Sequence, residues 1–137
     1  MSNVPILAAL LLFLSHSQFV PDPTEDWQAP EEFAVSRRGD CEDFAGYACH
    51  QLRLAGYPAC LISAYRNDGT GHTVCVFAEG PNQWSVIDGA RYMAWRQSFR
   101  RVTRRLRHRD SVLQVVSERD SVSRQGCVVT VLHGRLE

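Results

Sequence analysis

Cys41 lies in the stretch RRGDCEDFAGYACHQLRLAG (residues 37–56), where a helix is expected to begin. A cysteine in that place could be a buried small hydrophobe, a metal ligand, half of a disulfide or a nucleophile. The helix end speaks for the last. Unpaired backbone N–H groups and the positive end of the helix dipole favour thiolate, the reactive form. Asp40, Glu42 and Asp43 act in the opposite direction, so a thiolate there needs a cation beside it, and imidazolium is the usual one. His72 opens an expected strand just after a glycine-rich turn, and Asp88 closes the following strand. In a hairpin with Glu79-Gly80-Pro81 as its loop, Ala78 faces Asn82, Val76 faces Trp84 and His72 faces Asp88. Sharing a face requires only that the two residue numbers sum to an even value. The carboxylate could then bond one imidazole nitrogen and leave the other for sulfur, which is the logic of a Cys-His-Asp triad. Taken singly, each residue has a plainer reading: a surface histidine, and a turn-forming aspartate before glycine. Their order after a helix-start cysteine is what sets them apart.

The elements that must hold these residues are legible to different degrees. The cysteine helix is the clearest. Asp40 is a good N-cap, Glu42 and Asp43 add negative charge to the first turn, and Cys41, Ala45, Ala48 and Leu52 recur on one face with Phe44 beside them. Gly56 and Pro58 end it. Strands are expected at 59–65, 72–79 and 84–88, with turn clusters at 67–71 and 79–83. Two more are expected at 110–118 and 126–134, separated by the turn-like RDSVSRQ. Ahead of the cysteine, residues 4–17 read as a helix that is apolar nearly all round, and so buried. Residues 20–30 form a proline-rich loop, and 30–35 form one helical turn with Pro30 at its first position.

The 137-residue length suits one domain with one core. Formal net charge is zero, so no global field favours nucleic acid or membrane. The charge is nevertheless uneven. Residues 1–50 hold eight acids and two arginines, while residues 91–109 hold eight arginines and no acid. All fifteen basic residues are arginine, so the chain has no lysine to act as its own acyl acceptor. The five cysteines are odd in number and none forms a CxxC pair, which argues against a zinc site or a dense disulfide scaffold and for buried thiols. The apolar run VPILAALLLFL is too short to span a bilayer. It is either the first helix of the domain or a signal peptide. Lack of Lys or Arg in the first five residues points to the helix and to the cytoplasm, whereas cleavage near 15–17 would send the protein to the periplasm or outside.

The motifs DWQAPEEF, RRGDCEDFA, GHTVCVF and WSVIDGARY together resemble the bacterial transglutaminase-like cysteine proteinases of the transglutaminase-like (papain-like) superfamily. The resemblance covers residues 26–92, within a single domain of residues 1–137; residues 1–19 are the N-terminal helix or leader, and 93–137 the arginine-rich and C-terminal strand region. It implies an α+β fold with the cysteine helix packed on an antiparallel sheet. Carried over by motif, Cys41 is the nucleophile, His72 the general base and Asp88 the orienting acid. The implied activity is thiol-dependent acyl transfer, as a cysteine peptidase or amidase. The alternatives are a transglutaminase and a silent interaction module. The Cys41 backbone N–H is one expected oxyanion donor, and Gln28 or Trp27 a speculative second. No cofactor is expected, although some similar proteins bind calcium through acids flanking the cysteine, which here are Asp40, Glu42 and Asp43. The expected partner is a protein or peptide substrate. Arg100, Arg101, Arg104 and Arg105 offer a surface for an acidic partner, and nucleic acid is not expected because little beyond Trp95 and Phe99 could stack on bases.

Overall fold

The computed structural model describes residues 4–21, 28–65, 71–109, 115–122 and 128–134. Helix α1 spans Val4–Ser15, and strand β1 is the pair Gln18–Phe19. Helix α2 spans Pro30–Ser36, strand β2 is Arg38–Gly39, and helix α3 is Cys41–Leu54. Strands β3 (Ala59–Tyr65), β4 (Gly71–Gly80), β5 (Gln83–Asp88) and β6 (Arg91–Gln97) follow. Helix α4 (Phe99–Arg109) then precedes β7 (Val115–Val122) and β8 (Val128–Gly134).

One six-stranded sheet, in the order β6-β5-β4-β3-β8-β7, organises the chain. Every neighbouring pair is antiparallel except β3 and β8, which run parallel. Side chains alternate between faces along each strand, and this alternation divides the apolar residues into two clusters. Ala59, Leu61, Cys75, Phe77 and Ile87 pack under α3 through Phe44, Ala45, Ala48, Cys49 and Leu52. Ile62, Val74, Val76 and Val86 lie on the other face under Val102 and Leu106 of α4. The cysteine helix and the arginine helix therefore cover opposite faces of one sheet.

Several elements depart from the pattern expected of the sequence. Helix α1 buries Leu10 and Leu14 but leaves Ile6 and Leu12 exposed, so it is packed on one side and not all round. Helix α4 replaces the featureless arginine run, and β7 continues to Val122 through residues expected to turn. The β4–β5 register is displaced by two residues. Val76 pairs with Val86 and Ala78 with Trp84, because the turn is Pro81-Asn82 and a bulge intervenes between Ala78 and Gly80. Asn82 takes the left-handed conformation (φ 55°) that such a tight turn demands and that asparagine tolerates.

Candidate active site

The site begins with the loop that delivers Cys41. Its backbone is tied down from two directions. Strand β1 pairs in parallel with β2, with Gln18 N–H on the Arg37 carbonyl (2.7 Å) and Val20 N–H on the Gly39 carbonyl (2.8 Å). From the other side, the Gln28 side-chain amide donates to the Arg38 carbonyl at 2.7 Å, and Ser36 Oγ donates to Gln28 Oε1 at 2.8 Å.

Helix α3 then starts through a reciprocal cap. Asp40 accepts from the N–H groups of Glu42 (3.1 Å) and Asp43 (3.2 Å), while Asp43 Oδ2 accepts from Asp40 N–H at 3.1 Å. Asp43 is 3% exposed. It also takes Gln28 N–H on Oδ1 at 2.8 Å and Gln28 Nε2 on Oδ2 at 3.2 Å, which joins the lead-in segment to the helix start. Burial raises the Asp40 pKa, assisted by the charge of Asp43, although the N–H groups of Asp43 and Glu42 act against it. Phe44 N–H bonds the Asp40 carbonyl. Among the described residues, Cys41 is thus the one first-turn residue whose N–H has no acceptor.

The acids around the cysteine are therefore organised as a helix cap. Among the described residues no three His, Cys, Asp or Glu side chains are grouped to hold a metal ion. The carboxylates of Asp40 and Asp43 accept backbone N–H groups of the helix start, which accounts for both residues as a cap. The Gln28 side-chain amide donates to Arg38 and Asp43, so Gln28 braces the loop that delivers Cys41. Trp27 lies outside the described residues.

The structure brings Cys41, His72 and Asp88 together. His72 Nε2 is 2.7 Å from Asp88 Oδ1, the side chains being 30% and 22% exposed. Continuing the register from Cys75↔Ile87 sets Val74 directly opposite Asp88, so His72 reaches the carboxylate diagonally along the strand. Asp88 is held at the strand end by a two-residue turn to Arg91, in which Gly89 has φ 59°. The Cys41 side chain lies close enough to the same imidazole to help hold its proton. With Nε2 engaged by Asp88, Nδ1 is the nitrogen left for sulfur. The Asp88 hydrogen bond, followed by the Cys41 side chain, pushes the His72 pKa up to about 10 against the opposing pull of burial.

That shift has a testable sign. The folded value lies above the ordinary 6.5, so the stability His72 contributes is complete below about pH 6.5 and is lost as pH rises through about 10. An NMR titration of the His72 ring carbon is expected to stay flat through neutrality and move only in the alkaline range. In Asp88→Asn the transition is expected to fall towards the ordinary value, and a midpoint near 6.5 in the unmodified protein would remove the imidazolium from the site.

Of the remaining cysteines, Cys49 is disulfide-bonded, whereas Cys60 and Cys75 carry thiols. Burial raises the Cys75 thiol pKa well above its ordinary value, with the nearby Cys60 adding to the effect, which keeps it protonated and inert. Three of the five cysteines thus carry thiols, in keeping with the expectation that most are reduced, and among the described residues Cys49 is the exception. Disulfide formation depends on tertiary proximity, which spacing alone does not encode.

An α+β core with a cysteine helix laid on a sheet that carries histidine and aspartate is the architecture of the transglutaminase-like fold. Residues 7–104 match the family described as the transglutaminase-like superfamily, and the chain belongs to it. Among solved structures, the fold is similar to the periplasmic domain of TgpA from Pseudomonas aeruginosa, crystallised bound to ethylmercury. The identity is 22% and the TM-score 0.51, over 64% of this chain. This chain spans 38% of that one. No curated protein sequence matches it. Among the described residues, no helix is long and apolar enough to cross a membrane.

Proposed function

We propose that the protein is a thiol-dependent acyl-transfer enzyme, a cysteine peptidase or amidase in which Cys41 is the nucleophile, His72 the general acid and base, and Asp88 the orienting carboxylate. The single observation that carries the reading is one imidazole held by Asp88 on Nε2 at 2.7 Å, with the Cys41 side chain beside it. Membership of the transglutaminase-like superfamily supports the general class.

The chemistry follows from that arrangement. The Cys41 sulfur attacks the acyl carbon, the carbonyl electron pair moves to oxygen, and the Cys41 N–H is the donor assigned to that oxyanion. His72 passes its proton to the leaving amine, and a thioester remains. Neutral His72 then takes a proton from water, or from an incoming amine, as either attacks the thioester, and the carbon–sulfur bond breaks to return the Cys41 thiolate beside the imidazolium. Water gives hydrolysis and an amine gives transamidation, so the same residues support both outcomes. The Cys49 disulfide and the likeness to a periplasmic domain support a location in an oxidising compartment, against the cytoplasmic expectation.

Thiol labelling tests the nucleophile. Iodoacetamide at neutral pH is expected to modify Cys41 faster than Cys60 or Cys75, with Cys49 unmodified until reductant is added. Peptide mapping by mass spectrometry reads each site. His72→Ala is expected to slow Cys41 labelling to the rate of an ordinary exposed thiol, and Cys41→Ser to abolish the fast phase. Equal slow labelling of the free cysteines would leave the fold as a silent interaction module.

A further inference from the structure

Helix α4 carries an arrangement of charge that its own stability does not require. At 100° per residue, Arg100, Arg101, Arg104 and Arg105 occupy an arc of about 140°. All four are exposed, while Val102, Thr103 and Leu106 fill the buried arc opposite. Arg100–Arg104 and Arg101–Arg105 are like-charge neighbours one turn apart, a spacing that destabilises a helix. Two of the charges also sit at the wrong end. Ser98 Oγ accepts the Arg101 N–H at 3.3 Å as an N-cap, and the first turn of α4 contains no acid. Arg101 thus stands at the position where a capping box takes Glu, and Arg100 and Arg101 face the positive pole of the dipole. A coding preference for arginine explains the choice over lysine but not the choice over an acid.

Among the described residues, no acid neutralises the patch. Arg105 stacks on Trp95 at 3.9 Å and reaches Gln97, an uncharged partner. Among the described residues, the guanidinium groups of Arg100, Arg101 and Arg104 meet no carboxylate. We propose that this face of α4 is a docking surface for an acidic protein segment, rich in Asp and Glu, on the opposite side of the sheet from Cys41.

Guanidinium forks match carboxylates in bidentate geometry, and three of them meet no carboxylate among the described residues. A lipid surface fits less well. The large exposed apolar side chains, Ile6, Leu12, Phe19, Val35 and Leu54, all lie outside α4, and the apolar arc of α4 is packed on the sheet, so no insertion accompanies the charge. Single-stranded nucleic acid fits less well too. Trp95 lies beneath Arg105, and Phe99 packs edge-on against Trp84, which leaves no stacking platform beside the arginines. Because α3 covers the other face, a segment held here leaves the cysteine open. The surface is an exosite, independent of whether Cys41 is catalytic.

Fluorescence anisotropy of a labelled peptide of alternating glutamate and glycine tests this on the full chain. Binding is expected, and it is expected to weaken as salt rises from about 50 to about 300 mM because the exposed pairs are screened. Arg100→Gln/Arg101→Gln/Arg104→Gln is expected to lose about tenfold in affinity, the sum of three modest exposed pairs, while Cys41 labels at the unmodified rate. Arg101→Glu separates docking from folding. It completes the cap, so Tm is expected to hold or rise while peptide affinity falls. Absence of peptide binding, or binding that the triple variant leaves unchanged, overturns the proposal. Tighter arginine-dependent binding to oligothymidylate or to phosphatidylglycerol vesicles than to the peptide overturns it as well.

Discussion

Asp88→Ala is expected to lower turnover of a small chromogenic amide by about a thousandfold while leaving the fold intact, as it removes the group that orients the base. Asp88 sets both the angle of the imidazole and its charge, and its hydrogen bond is the first cause of the raised His72 pKa. Alanine removes both effects. The stability cost is small, on the order of 1 kcal/mol, since both side chains remain partly open to solvent. Asp88→Asn distinguishes the two effects. Asparagine keeps an oxygen that can accept from Nε2 and loses only the charge, and asparagine serves as the third member in other cysteine enzymes. Its activity is expected to lie between those of the unmodified protein and Asp88→Ala, with the His72 titration moved down. Circular dichroism checks the fold and steady-state kinetics the loss. If Asp88→Ala keeps most of its activity while Cys41→Ser has none, the carboxylate has no orienting role.

The parts of this arrangement that depend on local chemistry are legible in the sequence, and those that depend on chain reversal or tertiary approach are less so. The cysteine helix announces itself through Asp40 and its acidic first turn, and strand β3 begins and ends at the expected residues. The hairpin shows the limit. His72 and Asp88 share a face only in a register of even sum; the two-residue turn starts at Gly80↔Gln83, an odd sum, and the bulge between Ala78 and Gly80 restores the even one. Pro81-Asn82 with its bulge moved every pair by two. Helix α4 was obscured by composition: Phe99, Val102 and Leu106 have helical spacing, but eight arginines in residues 91–109 swamp the apolar signal. The bracing of the cysteine loop by Gln28 and Asp43 joins residues fifteen apart, and periodicity carries no trace of such a contact. A second polar knot escaped for the same reason. Glu79 accepts from Ser85 (2.6 Å), Tyr92 (2.7 Å) and Arg96 (3.3 Å) across three strands. Burial tends to raise its pKa, and these bonds with the Arg96 charge more than offset that to leave it lowered. The knot sits by the β4–β5 turn, at the other end of those strands from His72 and Asp88, and clips the bulged β5–β6 pair.

Gly39→Ala is expected to be the most destabilising single methyl that can be added near the site. An ideal Cβ at Gly39 would lie 2.5 Å from Asp43 Oδ2 and 2.6 Å from Asp43 Cβ, distances at which one group has to move. Asp43 has little freedom to do so. Its oxygens hold the N–H groups of Gln28 and Asp40 and the Gln28 amide, and it is buried. Displacing it leaves those donors without an acceptor, at about 1–3 kcal/mol for each that stays buried. A total on the order of 3 kcal/mol lowers Tm by about 10 °C in a domain of this size. The effect reaches chemistry because Asp43 caps the turn that carries Cys41, so fast alkylation of Cys41 is expected to slow in the folded fraction. A double-mutant cycle identifies the cause. Asp43→Ala removes the obstructing carboxylate together with its hydrogen bonds, so Gly39→Ala/Asp43→Ala is expected to be no less stable than the worse single variant. Additive losses would mean that the methyl acts on the backbone of the loop and not through Asp43, and the close packing of glycine on aspartate would then not be what positions the cysteine.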